Sequence, residues 1–517
     1  MTASASHSLT LSGDVYARAL DARDARFDGV FFVGITTTRI YCRPVCPSRI
    51  SFRSHRRFFG TAAAAEGAGF RPCLRCRPEL APGCAPVDAV PRLAIAAARQ
   101  IEAGALNGHT VAELASSLGV SERHLRRAVE RELGVSPIAL AQTHRLLLAK
   151  RLLADTNLSV TRIAFASGFQ SLRRFNAAFR AQYRMPPSAL VRAPKSAIAG
   201  EFVRLTLSYR PPLAWRELCQ ILASDAIGGV ESVEGARYGR TITVDGRSGV
   251  FFAEDASSRT AGVSGRRRRA SAAQLEGRGR DHVRVDVSPS LVPALMPLLA
   301  RLRQLFDLDA DPATIDEHLA QSGLDAQVAR TPGIRIPGAI DGFDIALRVL
   351  LRGRVFSAST SIDLATRVTR SIGEPIETGF PMLDHLAPSA DRIAEAGSVK
   401  LRTLGVPRRR SEAVVAVARL VASGELRLDP GSDVSATMQA LMQIDGIGDQ
   451  LATAIVMRTL SWPDAFPFAC GSMANTANAA SAPAFRALSQ RWRPWRAYAA
   501  MQLWHARDAG ASFSPAS

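Results

Sequence analysis

The amino-acid sequence predicts a multidomain, mainly α-helical protein that also contains two small domains mixing strands with helices. Three observations support this fold class. The chain has 517 residues, which suits three to four domains at roughly 100–200 residues each. Four of its 7 cysteines fall within a short N-terminal stretch. Residues 91–192 and most of 291–517 carry apolar residues at helical spacing.

Composition narrows the class of protein further. Hydrophobic residues make up 47% of the chain and charged residues 21%, which excludes a largely disordered or fibrous protein. No apolar run reaches the length of a transmembrane helix, and the first residues lack the features of a signal peptide. We therefore expect a cytoplasmic protein without a membrane partner.

Positive charge is concentrated at the N-terminal side. The whole chain has 65 Lys and Arg against 46 Asp and Glu, whereas residues 1–200 alone have 28 against 13. Such a local surplus is typical of a domain that binds nucleic acid, because the phosphate backbone attracts it. We expect the DNA-reading part of the chain there.

Two close cysteine pairs predict a metal site. Cys42 and Cys46 are separated from Cys73 and Cys76 by a loop of about 26 residues, a spacing that lets four thiolates surround one Zn²⁺ tetrahedrally. The spacing alone leaves a purely structural zinc site open. Four thiolates on Zn²⁺ carry a net charge of −2, so one sulfur could also act as a nucleophile.

The residues around these cysteines are more informative than their spacing. Residues 27–47, with Phe58-Phe59 and the segment 68–73, closely resemble the N-terminal domain of the Ada-type methylation sensors over about residues 14–80. The resemblance implies that Cys42 irreversibly accepts a methyl group from a methyl phosphotriester in DNA. The surrounding arginines would contact DNA phosphates, among them Arg39, Arg43 and Arg71.

A helix-turn-helix pattern occurs twice after the proline-rich break at 81–86. The first copy covers 111–125 and the second, about 49 residues later, covers 160–175. The second helix of each copy would lie in the major groove, exposing Arg123, His124, Gln170, Arg173 and Arg174. Leu125, Phe175 and Phe179 are predicted core residues. A helical bundle with a basic face is the alternative.

Together with the helix near 137–153, the two copies resemble the AraC-type DNA-binding domain. A methyl sensor followed by an AraC-type reader is also the order found in Ada-type proteins. The resemblance implies transcription regulation, with promoter DNA and RNA polymerase as partners.

The C-terminal half begins with strand patterns at 203–209, 241–244 and 282–287, which predict a small α+β domain. Helical patterns follow. Residues 441–454 contain the paired glycines Gly446 and Gly448 before a helix, the pattern of a helix-hairpin-helix. Such glycines let backbone N–H groups approach a DNA phosphate closely.

Residues 203–508 resemble the AlkA-type alkyladenine DNA glycosylases, on segments 285–293, 335–344, 462–467 and 493–499. Those enzymes flip an alkylated base into a pocket and cleave its N-glycosidic bond with the help of one aspartate. In this chain, Cys470 occupies the family's aspartate position, and no carboxylate lies between Asp464 and Asp508. Asp464 is a weaker catalytic alternative. A Gly-Gln-Gln-like turn of the family is replaced by Arg352-Gly353-Arg354.

We therefore expect four domains: a zinc methyl-acceptor domain at 1–85, a double helix-turn-helix at 86–200, an α+β domain at 201–290 and a helix-hairpin-helix glycosylase domain at 291–517. One Zn²⁺ per chain is the expected cofactor. The predicted function combines methyl phosphotriester sensing, transcription activation and base excision repair of alkylated purines at the nucleoid. The alternative is a damage-responsive regulator whose glycosylase domain is impaired by Cys470.

Overall fold

The computed structural model describes residues 13–49, 51–82, 92–191, 202–256, 281–352, 360–467 and 482–508. It divides into two compact units. The first comprises Met1–Arg210 with Val292–Ala300, and the second comprises Pro211–Leu291 with Arg301–Ser517.

The first unit begins with a small α/β module. Helix α1 (Gly13–Ala22) precedes a four-stranded sheet of order β3-β1-β2-β4, and helix α2 (Ala62–Gly67) lies between its last two strands in the chain. Strands β2 and β4 are parallel, whereas β1 pairs antiparallel with both β2 and β3. The strands are β1 (Phe32–Ile35), β2 (Ile40–Cys42), β3 (Arg56–Phe59) and β4 (Arg71–Pro72).

The remainder of this unit contains the two predicted helix-turn-helix copies. Polar side chains fix where the short helices start: Thr110 and Glu113 form a reciprocal capping box, and Ser121 and Ser171 cap the two second helices. The predicted core residues Leu125, Phe175 and Phe179 are fully buried, which confirms them. The helices are α3 (Arg92–Glu102), α4 (Val111–Ser117), α5 (Glu122–Leu133), α6 (Pro137–Asp155), α7 (Val160–Ala166) and α8 (Leu172–Tyr183).

Strands dominate the start of the C-terminal half, as predicted. Strand β5 (Val203–Ser208) precedes helix α9 (Trp215–Asp225). In the second unit, antiparallel strands then follow one another in the order β9-β8-β7-β6. These strands are β6 (Glu231–Glu234), β7 (Arg237–Val244), β8 (Arg247–Asp255) and β9 (His282–Val287).

The remaining described elements are helices, so the predicted mainly α fold class is confirmed. None of the described helices is both long and apolar enough to cross a membrane. The helices are α10 (Leu295–Leu305), α11 (Pro312–Leu319), α12 (Asp325–Arg330), α13 (Gly342–Arg352), α14 (Thr360–Ile372), α15 (Ala390–Thr403), α16 (Arg408–Ala422), α17 (Val434–Met442), α18 (Asp449–Thr459), α19 (Ala482–Ser489) and α20 (Arg496–Asp508).

A buried charge network joins the sheet and helices of the second unit. Arg240 of β7 donates to Glu231 (2.9 Å) and to Asp344 of α13 (2.6 Å). Arg348 also contacts Glu231 at 2.6 Å. Burial raises the pKa of Glu231, but the attraction of these two guanidinium groups is stronger and lowers it overall. The carboxylates are therefore ionised and hold the elements together.

Asp225 forms the other half of this network, because its carboxylate pairs with both Arg352 and Arg458. Burial lowers the pKa of each arginine to about 10. Two buried cations thus depend on one anion.

Replacing Asp225 should strongly destabilise the second unit. Asp225→Ala would leave two buried guanidinium groups without their anion, which costs about 3–5 kcal/mol for a broken buried pair. Because all 5 tryptophans lie in the second unit, urea unfolding followed by tryptophan fluorescence reports on it. Arg408→Met, which removes the exposed pair with Glu412, is the control and should leave the transition unchanged. A variant as stable as the wild type would contradict the assigned role of Asp225.

Candidate metal centre and DNA-binding surfaces

The four predicted cysteine ligands converge. Their sulfur atoms all lie within 4.8 Å of one another, and all four side chains are buried. The parallel pairing of β2 and β4 explains half of this arrangement, because it places Cys42 beside Cys73 at the same ends of the two strands. The amide of Cys73 donates to the carbonyl of Tyr41 at 3.0 Å, and tight turns bring in Cys46 and Cys76.

The chemistry of this donor set fits Zn²⁺. Four thiol groups this close together interact strongly, so the cluster as folded does not behave as four independent thiols. Four soft sulfur donors in tetrahedral reach form a closed site of the kind that zinc occupies in proteins. These residues form a site suited to one zinc ion.

The four sulfurs are not electronically equivalent. Backbone amides donate to two of them: that of Arg43 to Cys76 Sγ at 3.4 Å and that of Arg75 to Cys73 Sγ at 3.3 Å. Within the described residues, no backbone amide donates to Cys42 Sγ. Because such hydrogen bonds withdraw electron density from a thiolate, Cys42 keeps more nucleophilic character than Cys73 or Cys76.

A buried ion pair connects the second cysteine loop to helix α6. The Lys150 ammonium donates to the Cys73 carbonyl at 3.1 Å and to Glu79 at 2.6 Å. Arg77 extends this contact, since it binds Glu79 at 3.0 Å and both carboxylate oxygens of Asp155 at 2.7–2.8 Å. The metal-binding loop is therefore fixed against the helix that links the two helix-turn-helix copies.

Glu66 makes a second polar connection between the α/β module and α6. Its carboxyl group accepts hydrogen bonds from Tyr41 at 2.9 Å and from Thr143 of α6 at 2.7 Å. Burial is the dominant influence and raises the pKa of Glu66 to about 7.

The predicted phosphate-binding arginines of the module differ in their environments. Arg39 is exposed, adopts a left-handed backbone conformation and stacks on Phe70 at 5.6 Å. Arg43 instead forms a largely buried pair with Asp28 and donates to the Cys76 carbonyl at 3.2 Å. Arg71 lies on β4 and is half-buried. Arg39 is thus the exposed residue of the three, whereas Arg43 is held by its ion pair.

The predicted base-reading residues share one property, which is exposure. They lie on the first turns of α5 and α8, or directly before α8, while the buried faces of both helices pack inward. These positions are at the N-terminal ends of the two helices, the part of a recognition helix that enters the major groove. The residues are Arg123, His124, Gln170, Arg173 and Arg174.

The hairpin between α17 and α18 has the geometry expected from its glycines. Gly446 has φ of +90°, which an L-amino acid adopts only with strain. Gly448 caps α18 without any side-chain hydrogen bond, so the first amides of α18 remain available to an anion. Both glycines are exposed, whereas Ile447 between them is buried.

Of the two candidate catalytic residues of the C-terminal half, the structure describes only Asp464. Asp464 binds Arg496 through both carboxylate oxygens, at 2.6 and 3.0 Å, and lies 3.6 Å from Arg493. Its negative charge is thereby neutralised by two arginines. Cys470 lies outside the described residues.

Sequence reasoning missed Lys150, Glu79 and Glu66. A signal was present for Lys150, because it interrupts an apolar stretch of α6 in which leucine and alanine predominate. Its partners lie more than 70 positions away along the chain, and no local pattern identifies them.

Three known protein families match successive regions of the chain, in the order that the sequence predicts. Residues 16–79 match the metal-binding domain of Ada, residues 114–193 match a helix-turn-helix domain, and residues 204–341 match the AlkA N-terminal domain.

One relative aligns along nearly the whole chain. It is the probable bifunctional transcriptional activator/DNA repair enzyme AlkA of Mycobacterium tuberculosis, 35% identical over 497 residues, covering 94% of this chain and 95% of that protein. The chain belongs to this bifunctional AlkA family. As a family member, it combines regions that other relatives carry separately.

Two Escherichia coli proteins show that division. DNA-3-methyladenine glycosylase 2 is 28% identical over 301 residues, covering 58% of this AlkA-family chain and 96% of that protein. The bifunctional transcriptional activator/DNA repair enzyme Ada is 34% identical over 160 residues, covering 31% of this chain and 43% of that protein.

Purified protein should contain one zinc ion per chain. Cys73→Ser removes one of four ligands, so we expect loss of zinc and unfolding of the α/β module, because structural zinc sites contribute directly to folding. Cys219→Ser, at a buried cysteine outside the cluster, should keep the full zinc content. Elemental analysis by mass spectrometry gives the stoichiometry, and a metal-free wild type would refute the four-thiolate site.

The raised pKa of Glu66 makes the stability of the first unit depend on pH. A carboxyl group with a pKa of about 7 when folded and an ordinary value near 4.5 when unfolded holds its proton in the native state. Stability therefore falls as pH rises from about 4.5 to 7. Glu66→Gln mimics the protonated form and should remove this slope. Denaturation of both proteins across this range measures the difference; parallel curves would contradict the prediction.

Proposed function

We propose that this chain senses DNA methylation damage at Cys42, regulates transcription through its double helix-turn-helix, and excises alkylated purines with its C-terminal half. The observation that carries the proposal is the relationship to a bifunctional activator and repair enzyme along 94% of the chain. The four-cysteine site and the helix-hairpin-helix geometry support it independently.

The proposed methyl transfer uses the sulfur of Cys42. Its thiolate attacks the methyl carbon of a methyl phosphotriester, an S–C bond forms, and the C–O bond breaks with its electron pair remaining on the phosphodiester. Zn²⁺, when bound, keeps the sulfurs deprotonated. Amides on Cys73 and Cys76 make these two sulfurs weaker competitors. Because the product is a neutral thioether, the site changes from −2 to −1.

Through this change of charge, methylation of Cys42 would increase the affinity of the protein for DNA. A less negative site repels the phosphate backbone less, and Arg39 adds an exposed positive charge to the same module. Arg43 and Arg71 are further phosphate contacts in this proposal, Arg43 after release from Asp28. The methylated protein would then bind its promoter more tightly.

The double helix-turn-helix is proposed to read promoter DNA. Arg123 and His124 at α5, with Gln170, Arg173 and Arg174 at α8, would contact base edges in successive major-groove segments. Activation implies contact with RNA polymerase, and the site of action would be the nucleoid in the cytoplasm.

In the C-terminal half, the glycine hairpin of Gly446 and Gly448 is proposed to let the first amides of α18 hold a DNA phosphate while an alkylated base is flipped out. Similarity to a DNA-3-methyladenine glycosylase over 301 residues favours an active enzyme over the alternative of a binding-only domain. Asp464 is the weaker catalytic candidate because Arg496 and Arg493 neutralise it. The proposed domain boundaries are 1–85, 86–200, 201–290 and 291–517.

Cys42→Ser should abolish methyl uptake, since a serine hydroxyl is not deprotonated at neutral pH. Transfer of radiolabelled methyl groups from methylated DNA to protein measures the reaction. The Cys219→Ser variant, which leaves the cluster intact, should accept methyl groups at the wild-type level. Continued transfer to the Cys42 variant would refute this residue as the acceptor.

Release of free methylated purines from alkylated DNA tests the third activity. We expect the wild type to release them and Cys470→Asp to do so faster, on the order of 100-fold, because a fixed carboxylate stabilises developing positive charge on the sugar. Asp464→Asn is the comparison variant, and it should release purines at about the wild-type rate if Asp464 is not the catalytic carboxylate. Release by the Cys470→Asp variant alone would contradict the active-enzyme proposal and support the binding-only alternative.

A further inference from the structure

The double helix-turn-helix contains a cavity of about 460 Å³ that its two halves build together. One wall is the loop 106–109 before α4, a second is α6 with Gln142 and Arg145, and the third is the turn 168–170 with Arg174 and Ala178 of α8. Two of its lining residues, Gln170 and Arg174, are exposed to solvent.

Its walls carry more positive than negative charge. Arg145 donates to two neutral acceptors, Asn107 Oδ1 at 2.8 Å and the Leu106 carbonyl at 2.5 Å. Among the described residues, no carboxylate pairs with Arg145 or Arg174. Burial lowers the pKa of Arg145, as expected for a cation removed from water without an anion.

The remaining ionisable groups do not cancel this charge. His109 lies 3.5 Å from Glu113 Oε2. The same carboxylate accepts hydrogen bonds from the backbone and hydroxyl of Thr110 at 2.6 and 3.1 Å, so it serves as the cap of α4.

The orientation of Arg145 is fixed by close packing. Gly168 has φ of +85°, and a Cβ atom at this position would lie 2.3 Å from Asn107 Oδ1. Asn107 therefore fits against the glycine backbone and holds the Arg145 guanidinium through its side-chain oxygen. A larger residue at 168 would displace the group that positions the cation.

We propose that this cavity binds a phosphate oxyanion, namely a phosphodiester of the DNA backbone that passes between the segments contacted by α5 and α8. Arg145 supplies a guanidinium group, the donor best matched to a phosphate, and Arg174, assigned above to base reading, adds positive charge to the cavity wall. Gln170 and Arg174 belong both to the cavity and to the proposed base-reading surface, so DNA on α8 would lie across the cavity. The site fixes the position of the protein on DNA without reading sequence.

This inference rests on the proposed DNA binding by the double helix-turn-helix. A free phosphorylated small molecule shares the same chemistry, and the experiment separates these two sources.

The test changes the charge of the cavity wall at Gln142. Gln142→Glu adds a carboxylate to the wall, and Gln142→Lys adds a cation. Gln100→Glu on α3, outside the cavity lining, is the matched control. The full zinc-loaded chain is titrated with a fluorescein-labelled DNA duplex over a series of salt concentrations. We expect the slope of log Kd against log salt to fall by about 1 in Gln142→Glu relative to the control. Gln142→Lys should keep or increase this slope. Because it changes the same residue, a slope that is retained there shows that the loss in Gln142→Glu does not come from misfolding.

Calorimetry with inorganic phosphate and pyrophosphate gives the second arm. Equal salt slopes for DNA binding in Gln142→Glu and Gln100→Glu would overturn the proposal. If calorimetry then shows that only Gln142→Glu has lost phosphate binding, the cavity is a site for a free anion. A wild type without DNA affinity would instead contradict the proposed function itself, a result distinct from equal slopes.

Discussion

The convergence of four cysteine sulfurs is the constraint on which the first unit depends. Two short parallel strands, β2 and β4, set Cys42 beside Cys73, and the surrounding residues accommodate the negative charge that four thiolates on zinc carry. Lys150 of α6 donates to that loop, Arg77 of the loop binds Asp155 at the end of α6, and Arg43 is held by Asp28. Its two apolar clusters are small, so the module would rely on metal binding for much of its stability.

The second unit contains a buried network of arginines and carboxylates. Its buried network sets Arg240, Arg348, Arg352 and Arg458 against Glu231, Asp344 and Asp225, so the arginines of the network outnumber its acids by one. Buried ion pairs contribute little net stability compared with apolar packing, but each partner depends strongly on the other. The network therefore specifies how α9 and the sheet meet α13 and α18 rather than simply adding stability.

Local signals in the sequence predicted much of this structure. Cysteine spacing identified the metal ligands, apolar periodicity identified Leu125, Phe175 and Phe179 as core residues, and the glycines at 446 and 448 identified the hairpin. Each of these signals is contained within a few consecutive residues or one repeat. Contacts between distant residues could not be predicted in this way. The Lys150–Glu79 pair spans 71 positions, and the partner of Arg43 at Asp28 depends on how the sheet folds.

The fixed contact between the cysteine loop and α6 has a geometric consequence. A sensor on a flexible linker would sample many phosphates around a bound reader, with an effective concentration set by linker length. Here Lys150 and Asp155 attach the Cys73 loop to the same helix that joins the two helix-turn-helix copies. Within the proposed function, a protein seated on its promoter could present Cys42 to only one narrow band of backbone positions. Methyl groups elsewhere would have to be collected before the promoter is engaged, so that damage scanning and promoter occupancy become successive stages rather than simultaneous ones.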